Sequence, residues 1–249
     1  MSSYDFNYEH FEYVRVDALV AERLTSSPRI YDIYGSCGLG ILSEFFPHGD
    51  MESIAVTGSG YIEPHKLHDG YRLKPQNDLT PIEKLEICTQ MAEALADLHG
   101  NKEGVIVHQD IQLSQFLWTK DKSRVKLNDF NRAEFMLWDA ENKEYCHYHE
   151  GLGMGSVSFL CLPCLFYRRN TDISFALLRK WRSPEEYFDK PVTEQIDIFS
   201  LANNFYSILT GLYPFYDLED DEIRKVCKAL MWKSFVMLDT ELIPFLLLS

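Results

Sequence analysis

The chain has 249 residues, of which 46% are hydrophobic and 25% charged, and its 38 acidic and 24 basic residues give a formal net charge of −14. This composition is ordinary for a globular protein, and the length allows one large domain or two small lobes. The acidic excess argues against a nucleic-acid backbone or an anionic membrane surface as the main partner.

The chain shows no obvious targeting or membrane segment. Its first ten residues lack the basic and apolar regions of a secretory signal. The longest apolar runs, 159–166 and 245–248, are too short to cross a bilayer. The six cysteines are scattered except for one C-x-x-C, and without a signal they indicate reduced thiols. We therefore expect a cytoplasmic protein.

The N-terminal part of the sequence predicts one helix followed by two strands. Residues 1–13 show no clear period and are predicted to be extended, whereas apolar side chains at helical spacing predict a helix over residues 14–25. Ser26, Ser27 and Pro28 should end this helix, because a residue before proline disfavours the α conformation. The two strands are predicted over residues 30–34 and 40–46.

The next part of the sequence predicts a loop and then a long helix. Residues 51–79 contain several glycines and prolines and should form a surface loop around a short helix. Thr80 and Glu83 form a capping box around Pro81, which marks the start of a helix that ends near Gly100. The predicted inner face of this helix consists of Ile82, Leu85, Ala92, Leu95 and His99.

Residues 106–131 are the most informative stretch of the chain. Two short apolar segments, Phe116–Trp118 and Val125–Leu127, flank a polar turn and predict a β-hairpin. Asp110 precedes the hairpin and Asp129 follows it, 19 residues later. Such a hairpin would bring two carboxylates to one end of a small sheet, as magnesium and phosphate chemistry requires.

This stretch resembles the catalytic core of the eukaryotic protein kinases, in which H-R-D-x-x-x-x-N precedes a hairpin and D-F-G follows it. Further along, Ser183, Pro184 and Glu185 are similar to the A-P-E signature of that family. Residues 193–210 predict a buried apolar helix similar to the family's F helix, in which Asp197 would brace the catalytic loop.

The resemblance extends from residue 14 to about residue 230 and implies an α+β, bilobal, protein-kinase-like fold. Residues 1–46 would form a truncated small β lobe, with one helix and two strands. Residues 47–249 would form a mostly helical large lobe, with an anomalous insert at 156–180 and an irregular tail at 231–249. We interpret the insert as a translated intron, because it separates residues that would otherwise join naturally.

The resemblance also implies a site for ATP, Mg²⁺ and a protein hydroxyl group. Asp110 would accept or orient the hydroxyl proton, and Gln112 stands where the family has a lysine that neutralises the transferred phosphate. Gln115 and Asp129 would bind magnesium through oxygen atoms. The candidate adenine-binding residues are Glu44, Phe45 and Phe46, through their backbone groups, and Leu117, which would pack below the ring. Ordinary strand core is the alternative interpretation of these residues.

Several positions depart from the family pattern. Gln109 replaces the arginine that reads a phosphorylated activation loop, and Asn131 replaces the D-F-G glycine, where asparagine would tolerate a positive φ. No lysine precedes Lys66. The acid of the first helix, Asp17 or Glu22, therefore lacks the strand lysine with which the family pairs it.

The end of the chain departs from the pattern too. In the family, the A-P-E glutamate, here Glu185, pairs with an arginine from the last helices, and Arg224 is the only arginine that follows it.

Two functional hypotheses follow. The first is ATP- and Mg²⁺-dependent phosphotransfer to protein hydroxyls, with serine and threonine favoured over tyrosine, impaired in this chain. The second is a pseudokinase, a binding or scaffolding module that keeps the fold without turnover. Both predict a protein substrate or signalling partner and neither predicts nucleic acid or membrane as a partner.

Overall fold

A computed structural model describes residues 8–56, 77–145, 182–187 and 192–215, together with Leu218, Glu222, Ile223, Lys225 and Val226. The predicted insert at 156–180 and tail at 231–249 lie outside the described residues. Within the described part of the chain, no helix is long and apolar enough to cross a membrane.

The protein mixes helices and antiparallel strands, which confirms the α+β class. The helices are α1 (Tyr8–Arg23), α2 (Met51–Ala55), α3 (Pro81–His99), α4 (Pro184–Tyr187) and α5 (Gln195–Thr210). The strands are β1 (Ile33–Cys37), β2 (Gly40–Ser43), β3 (Val105–Val107), β4 (Phe116–Trp118), β5 (Val125–Leu127), β6 (Glu134–Met136), β7 (Trp138–Asp139) and β8 (Glu144–Tyr145). They pair as β1–β2, β3–β6, β4–β5 and β7–β8. A mixed fold of this kind is compatible with a kinase-like one, and the lobe boundary at residue 46 stays a prediction.

Helix α1 begins earlier than the sequence predicts. It starts at Tyr8, so the expectation of an extended segment over residues 1–13 is wrong from that residue onward. Glu12 and Arg15, one turn apart, form an ion pair with a separation of 2.6 Å, and such pairs support a helical turn that lacks a clear apolar period. The inner face carries Val16 and Val20 into the main core.

The first hairpin is displaced along the chain relative to the prediction. β1 starts at Ile33 rather than at residue 30, and β2 ends at Ser43 rather than at residue 46. The reason is that residues 29–31 pair elsewhere: Tyr31 N donates to the carbonyl of Leu127, and Leu127 N donates to the carbonyl of Arg29, at 3.0 and 2.8 Å. The segment before β1 therefore extends the second hairpin instead of the first.

Helix α3 confirms the predicted capping box. Glu83 N donates to Thr80 Oγ1 at 3.3 Å, and Thr80 N donates to Glu83 Oε2 at 2.7 Å. The predicted inner face is partly wrong, because Ile82 and Leu85 are 70% and 68% exposed. The buried side chains are Lys84, Ile87, Met91, Ala94, Leu95 and Leu98.

The orientation of α3 is explained by a buried lysine. Lys84 Nζ donates to the carbonyl of Leu209 at 2.8 Å, near the C-terminal end of α5, where backbone carbonyls lack partners within the helix. The hydrophobic pattern of the sequence assigns lysine to the exposed side of a helix. Because Lys84 is buried instead, the observed inner face of α3 differs from the predicted one.

Helix α5 ends at Thr210 and is capped by Gly211, whose φ of 77° suits glycine. It is not buried on all sides, since Ile198 and Leu209 are each 52% exposed. Its inner side reaches α3 and the loop before β4, where Asn204 Nδ2 donates to the carbonyl of Ile111 at 3.2 Å. The helix thus supports the segment that contains Asp110.

Candidate active site

A buried carboxylate on α5 holds the loop that follows β3. Asp197 is 1% exposed, and its two oxygens accept from the backbone amides of His108 and Gln109 at 2.7 and 2.9 Å. His99 Nε2 lies 2.9 Å from the same carboxylate. Three polar partners compensate the burial of this group. They also hold Gln109 at a φ of 66°, a conformation uncommon for a non-glycine residue.

His108 connects this loop to the turn after β5. Its Nδ1 accepts from Asp110 N at 3.2 Å, so the neutral ring carries its proton on Nε2 and donates it to the carbonyl of Asn128 at 3.0 Å. The ring also packs edge-on against Phe130, with centroids 5.3 Å apart. The residues around Asp110 and Asp129 are therefore joined through one imidazole.

The side chain of Asp110 is buried and contacts both a neutral donor and a cation. Gln112 Nε2 donates to its Oδ2 at 3.3 Å, and Arg182 Nη2 lies 3.5 Å from its Oδ1. The side chain of Asp110 is 8% exposed and that of Arg182 is 5% exposed. Both oxygens of the carboxylate are thus contacted. Arg182 lies 72 residues from Asp110 in the sequence.

The structure brings the two candidate metal ligands into contact. Gln115 Nε2 donates to Asp129 Oδ2 at 2.9 Å, and Asn128 N donates to the carbonyl of Gln115 at 2.9 Å. Asp129, at the end of the hairpin, has a φ of 61°. The residue types fit magnesium, which binds a carboxylate and an amide oxygen and takes its remaining ligands from water and phosphate. In the described ranges, no group of three or more histidine, cysteine, aspartate or glutamate side chains could hold a metal ion.

Asn131 does not need the tolerance of positive φ that was considered for it. Positive φ falls on Asp129, and Asn131 is not among the residues with positive φ. Ala133 N donates to the carbonyl of Phe130 at 2.9 Å, which closes an ordinary turn with Asn131 inside it. The residue with the left-handed backbone conformation is therefore Asp129 itself.

Asp17 is the acid of α1 that faces the site, whereas Glu22 is exposed. Asp17 Oδ1 accepts from Tyr31 Oη at 3.0 Å and from the backbone amide of Phe130 at 2.9 Å. The Tyr31 and Phe130 rings stack with centroids 5.9 Å apart. Burial raises the pKa of Asp17, although these two hydrogen bonds act in the opposite direction. The hydrogen-bond donors to Asp17 are thus a tyrosine and a backbone amide, whereas protein kinases pair the acid of the corresponding helix with a lysine.

Of the candidate adenine-binding residues, Leu117 lies in β4, whereas Glu44, Phe45 and Phe46 directly follow β2. Leu117 and Phe46 are partly buried, while Phe45 is 81% exposed. Glu44 N already donates to the carbonyl of Asp32 at 2.9 Å, so this amide is engaged in backbone pairing.

Two cations of this region were missed by the sequence reasoning, Lys126 and Arg182. Lys126 Nζ lies 2.9 Å from Asp32 and 2.7 Å from Glu44, and its side chain is 10% exposed. Burial lowers the pKa of Lys126, but the hydrogen bonds to the two carboxylates outweigh it and raise the pKa overall. A lysine between the two core residues of β5 was the available signal, because a charge at such a position needs a partner. No local signal pointed to the contact of Arg182 with Asp110.

Next to Glu185, its neighbour Glu186 forms a local ion pair with Arg182. Arg182 Nη1 lies 2.6 Å from Glu186 Oε1, and Ser183 N donates to Glu186 Oε2 at 2.7 Å. Arg182 thus forms part of a compact unit at the start of α4. Arg224, the arginine considered from the sequence, lies outside the described residues.

The fold and site define an α+β protein in which His108 links the loop of Asp110 to the turn of Asp129 after a buried hairpin. Comparison with known sequences relates it to protein kinases. A calmodulin-binding receptor-like cytoplasmic kinase 1 of Arabidopsis thaliana is 37% identical over 97 residues, 38% of this chain and 19% of that protein. A probable cell division control protein 7 homolog of Encephalitozoon cuniculi is 29% identical over 61% of this chain and 50% of its own length. A mitogen-activated protein kinase kinase kinase 13 of Mus musculus is 22% identical over 81% of this chain and 16% of its own length.

These relatives support a relationship to the protein-kinase superfamily. The chain spans half or less of each of the three. No family model matches the sequence.

Proposed function

We propose that this chain is a protein-kinase-like domain that binds ATP with Mg²⁺ and transfers the γ-phosphate slowly to serine or threonine hydroxyls of a protein. The observation that carries the proposal is the contact between Gln115 and Asp129, at 2.9 Å, at the end of the hairpin that follows Asp110. Two oxygen-bearing side chains separated by the length of a hairpin converge there. The kinase relatives supply the class of reaction.

Asp129 would contribute its carboxylate to magnesium, and Gln115 its amide oxygen. The amide NH₂ of Gln115 now faces Asp129, so a half-turn of the amide would be needed to present the oxygen. The ion, when bound, would neutralise charge on the phosphates.

Asp110 would hold the substrate hydroxyl. In the transfer, the hydroxyl oxygen forms a bond to the γ-phosphorus as the bond from phosphorus to the bridging oxygen breaks. That bridging oxygen keeps the electron pair as ADP leaves, and the hydroxyl proton passes to Asp110. The hydrogen bonds from His108 and Gln109 to Asp197 support this role, because they hold the loop in one geometry.

The rate should be low because, within the described part of the chain, Asp17 has no lysine as a partner. Asp17 is engaged by Tyr31 and by the amide of Phe130 instead of a lysine. Losing one preorganised cation or donor costs on the order of a hundredfold or more in rate.

The same observation favours the second candidate, a pseudokinase that binds a protein partner without turnover. Asp17 is satisfied by groups that do not need nucleotide, so α1 can remain packed on the turn at Phe130 in the absence of ATP. The two candidates differ in whether phosphate is transferred.

Thermal unfolding with ATP and Mg²⁺ tests the proposal. Saturating nucleotide at about 100 times its Kd adds about 2.7 kcal/mol of stability, so we expect Tm to rise by several degrees. Asp129→Ala should lose this shift, and Glu22→Ala, a matched change at an exposed carboxylate, should keep it. Absence of a shift in the wild type would refute nucleotide binding. A shift without phosphate transfer to a protein substrate would favour the pseudokinase.

A further inference from the structure

The strongest unassigned feature of the site is the guanidinium of Arg182. It lies 3.5 Å from Asp110 Oδ1, while the neutral amide of Gln112 donates to the other oxygen of the same carboxylate. Arginine stays protonated at any pH at which the protein is folded. A permanent positive charge therefore sits beside the candidate hydroxyl-binding group, although residue 112 supplies none.

Arg182 is held in this position by its own segment. Its Nη1 pairs with Glu186 Oε1 at 2.6 Å, and the second oxygen of Glu186 accepts from Ser183 N at 2.7 Å. The guanidinium is planar and has separate N–H edges, so one edge can be anchored while the Nη2 edge faces Asp110. The side chain is 5% exposed, which strengthens its electrostatic effect relative to a surface arginine.

The position of this arginine matters for a phosphate. A phosphoryl group that approaches Asp110 brings negative charge toward a carboxylate, and a cation beside that carboxylate reduces the repulsion. Arg182 places a positive charge and an N–H edge 3.5 Å from Asp110 Oδ1.

We propose that Arg182 is the cationic group of the phosphotransfer centre and that it positions Asp110 and stabilises the transferring phosphoryl group in place of a charge at residue 112. This inference rests on the proposed function. The structure thus supplies from the start of α4 a charge that the catalytic loop lacks.

The test measures affinity for MgADP and for MgADP with aluminium fluoride, a mimic of the transferring phosphoryl group, by titration calorimetry. We expect Arg182→Met to weaken aluminium fluoride-dependent binding by about tenfold or more and MgADP binding by less than about twofold. Adding Gln112→Lys to Arg182→Met should restore the loss to within about threefold of the wild type, because it returns a cation to the same carboxylate. Arg124→Met, at an exposed arginine of the hairpin turn, is the matched control and should change neither affinity.

If Arg182→Met does not fold, the single variant Gln112→Lys still tests the inference. If Arg182 already supplies the charge, Gln112→Lys alone should improve aluminium fluoride-dependent binding by less than about threefold. A gain of about tenfold or more would overturn the inference, because it would mean that the charge is missing in the wild type. An unchanged or stronger aluminium fluoride affinity in folded Arg182→Met would overturn it as well.

Phosphate transfer to dephosphorylated casein, measured with the same proteins, separates this inference from the proposed function. Arg182-dependent aluminium fluoride binding without transfer would support the inference and refute the catalytic part of the proposed function. A wild type that transfers phosphate as fast as Arg182→Met would refute the inference alone. A wild type that binds no nucleotide would refute both.

Discussion

The hairpins β1–β2 and β4–β5 are both short and antiparallel, but their surroundings are opposite. In β4–β5, Phe116, Val125 and Leu127 are fully buried. In β1–β2, Tyr34 and Leu42 are each 67% exposed. Short two-stranded hairpins are marginally stable by themselves, so packing decides how rigid each one is.

The buried hairpin is bound on several sides. Residues 29–31 pair with Leu127, and Val125 N donates to Gln90 Oε1 of α3 at 2.7 Å. The two aspartates of the candidate site flank this hairpin in the sequence. The difference teaches that the hairpin between the candidate metal-binding and hydroxyl-binding residues is anchored in the core, whereas the first hairpin contributes little to the core.

The largest expected effect tests this difference in packing. Phe116→Ala should lower the free energy of unfolding by about 3–5 kcal/mol, because it removes a fully buried ring and leaves a cavity. Leu42→Ala, also a change from a large apolar residue to alanine, should cost less than about 0.5 kcal/mol. Urea denaturation followed by circular dichroism measures both. Similar costs for the two variants would contradict the contrast between the hairpins.

The next effect concerns α1, which joins the first hairpin to the turn after the second. Asp17→Ala should cost about 1–3 kcal/mol, because the buried amide of Phe130 loses its acceptor. Tyr31→Phe should cost about 1 kcal/mol, since it removes only one of the two hydrogen bonds to Asp17. Amide exchange of Phe130, measured without nucleotide, should accelerate in Asp17→Ala.

Glu22→Ala serves as the control for α1 and should leave both stability and exchange unchanged. Rapid exchange of the Phe130 amide in the wild type would show that α1 does not hold this turn without nucleotide. In that case the β4–β5 hairpin would be held firmly without the turn that follows it.

The smallest effect is a pH dependence in the sheet of β3 and β6, which precedes the loop of Asp110. Burial raises the pKa of Glu134, on β6, from 4.5 to about 7. The folded protein therefore keeps a proton that the unfolded chain loses, and the stability from Glu134 is full below about pH 4.5 and lost as pH rises toward 7. Because its side chain is only partly buried, we expect Glu134→Gln to stabilise the protein by about 1–2 kcal/mol at pH 8 and to be nearly neutral at pH 4.5.

Urea denaturation across this pH range checks the effect, with Glu141→Gln, at an exposed glutamate next to β7, as the control. An equal gain at pH 4.5 and pH 8 would show that folding does not raise the pKa of Glu134. The pH dependence would then have to come from elsewhere in the chain.

Much of the site's layout was predictable because it is encoded locally. The bounds of β4 and β5 follow from two apolar triplets around a polar turn, and both are confirmed. The capping box of Thr80 and Glu83 is confirmed for the same reason, since its hydrogen bonds span three residues. The adjacency of Gln115 and Asp129 follows once the hairpin between them is correct.

Other features were not predictable because they depend on charged side chains that act inside the protein. Lys84 reaches the end of α5 and thereby changes the inner face of α3. Lys126 is buried between two carboxylates, although a lysine in a short strand usually faces solvent.

By itself, the sequence determined the second hairpin, the start of α3 and the order of the residues that resemble a kinase core, because turns, caps and strand alternation are short-range effects. Only the tertiary structure decided which groups surround the two aspartates. Tyr31 meets Asp17, and Arg182 meets Asp110 across 72 residues of sequence. A buried carboxylate requires a hydrogen-bond donor or a cation, and the tertiary fold determines which one lies within reach.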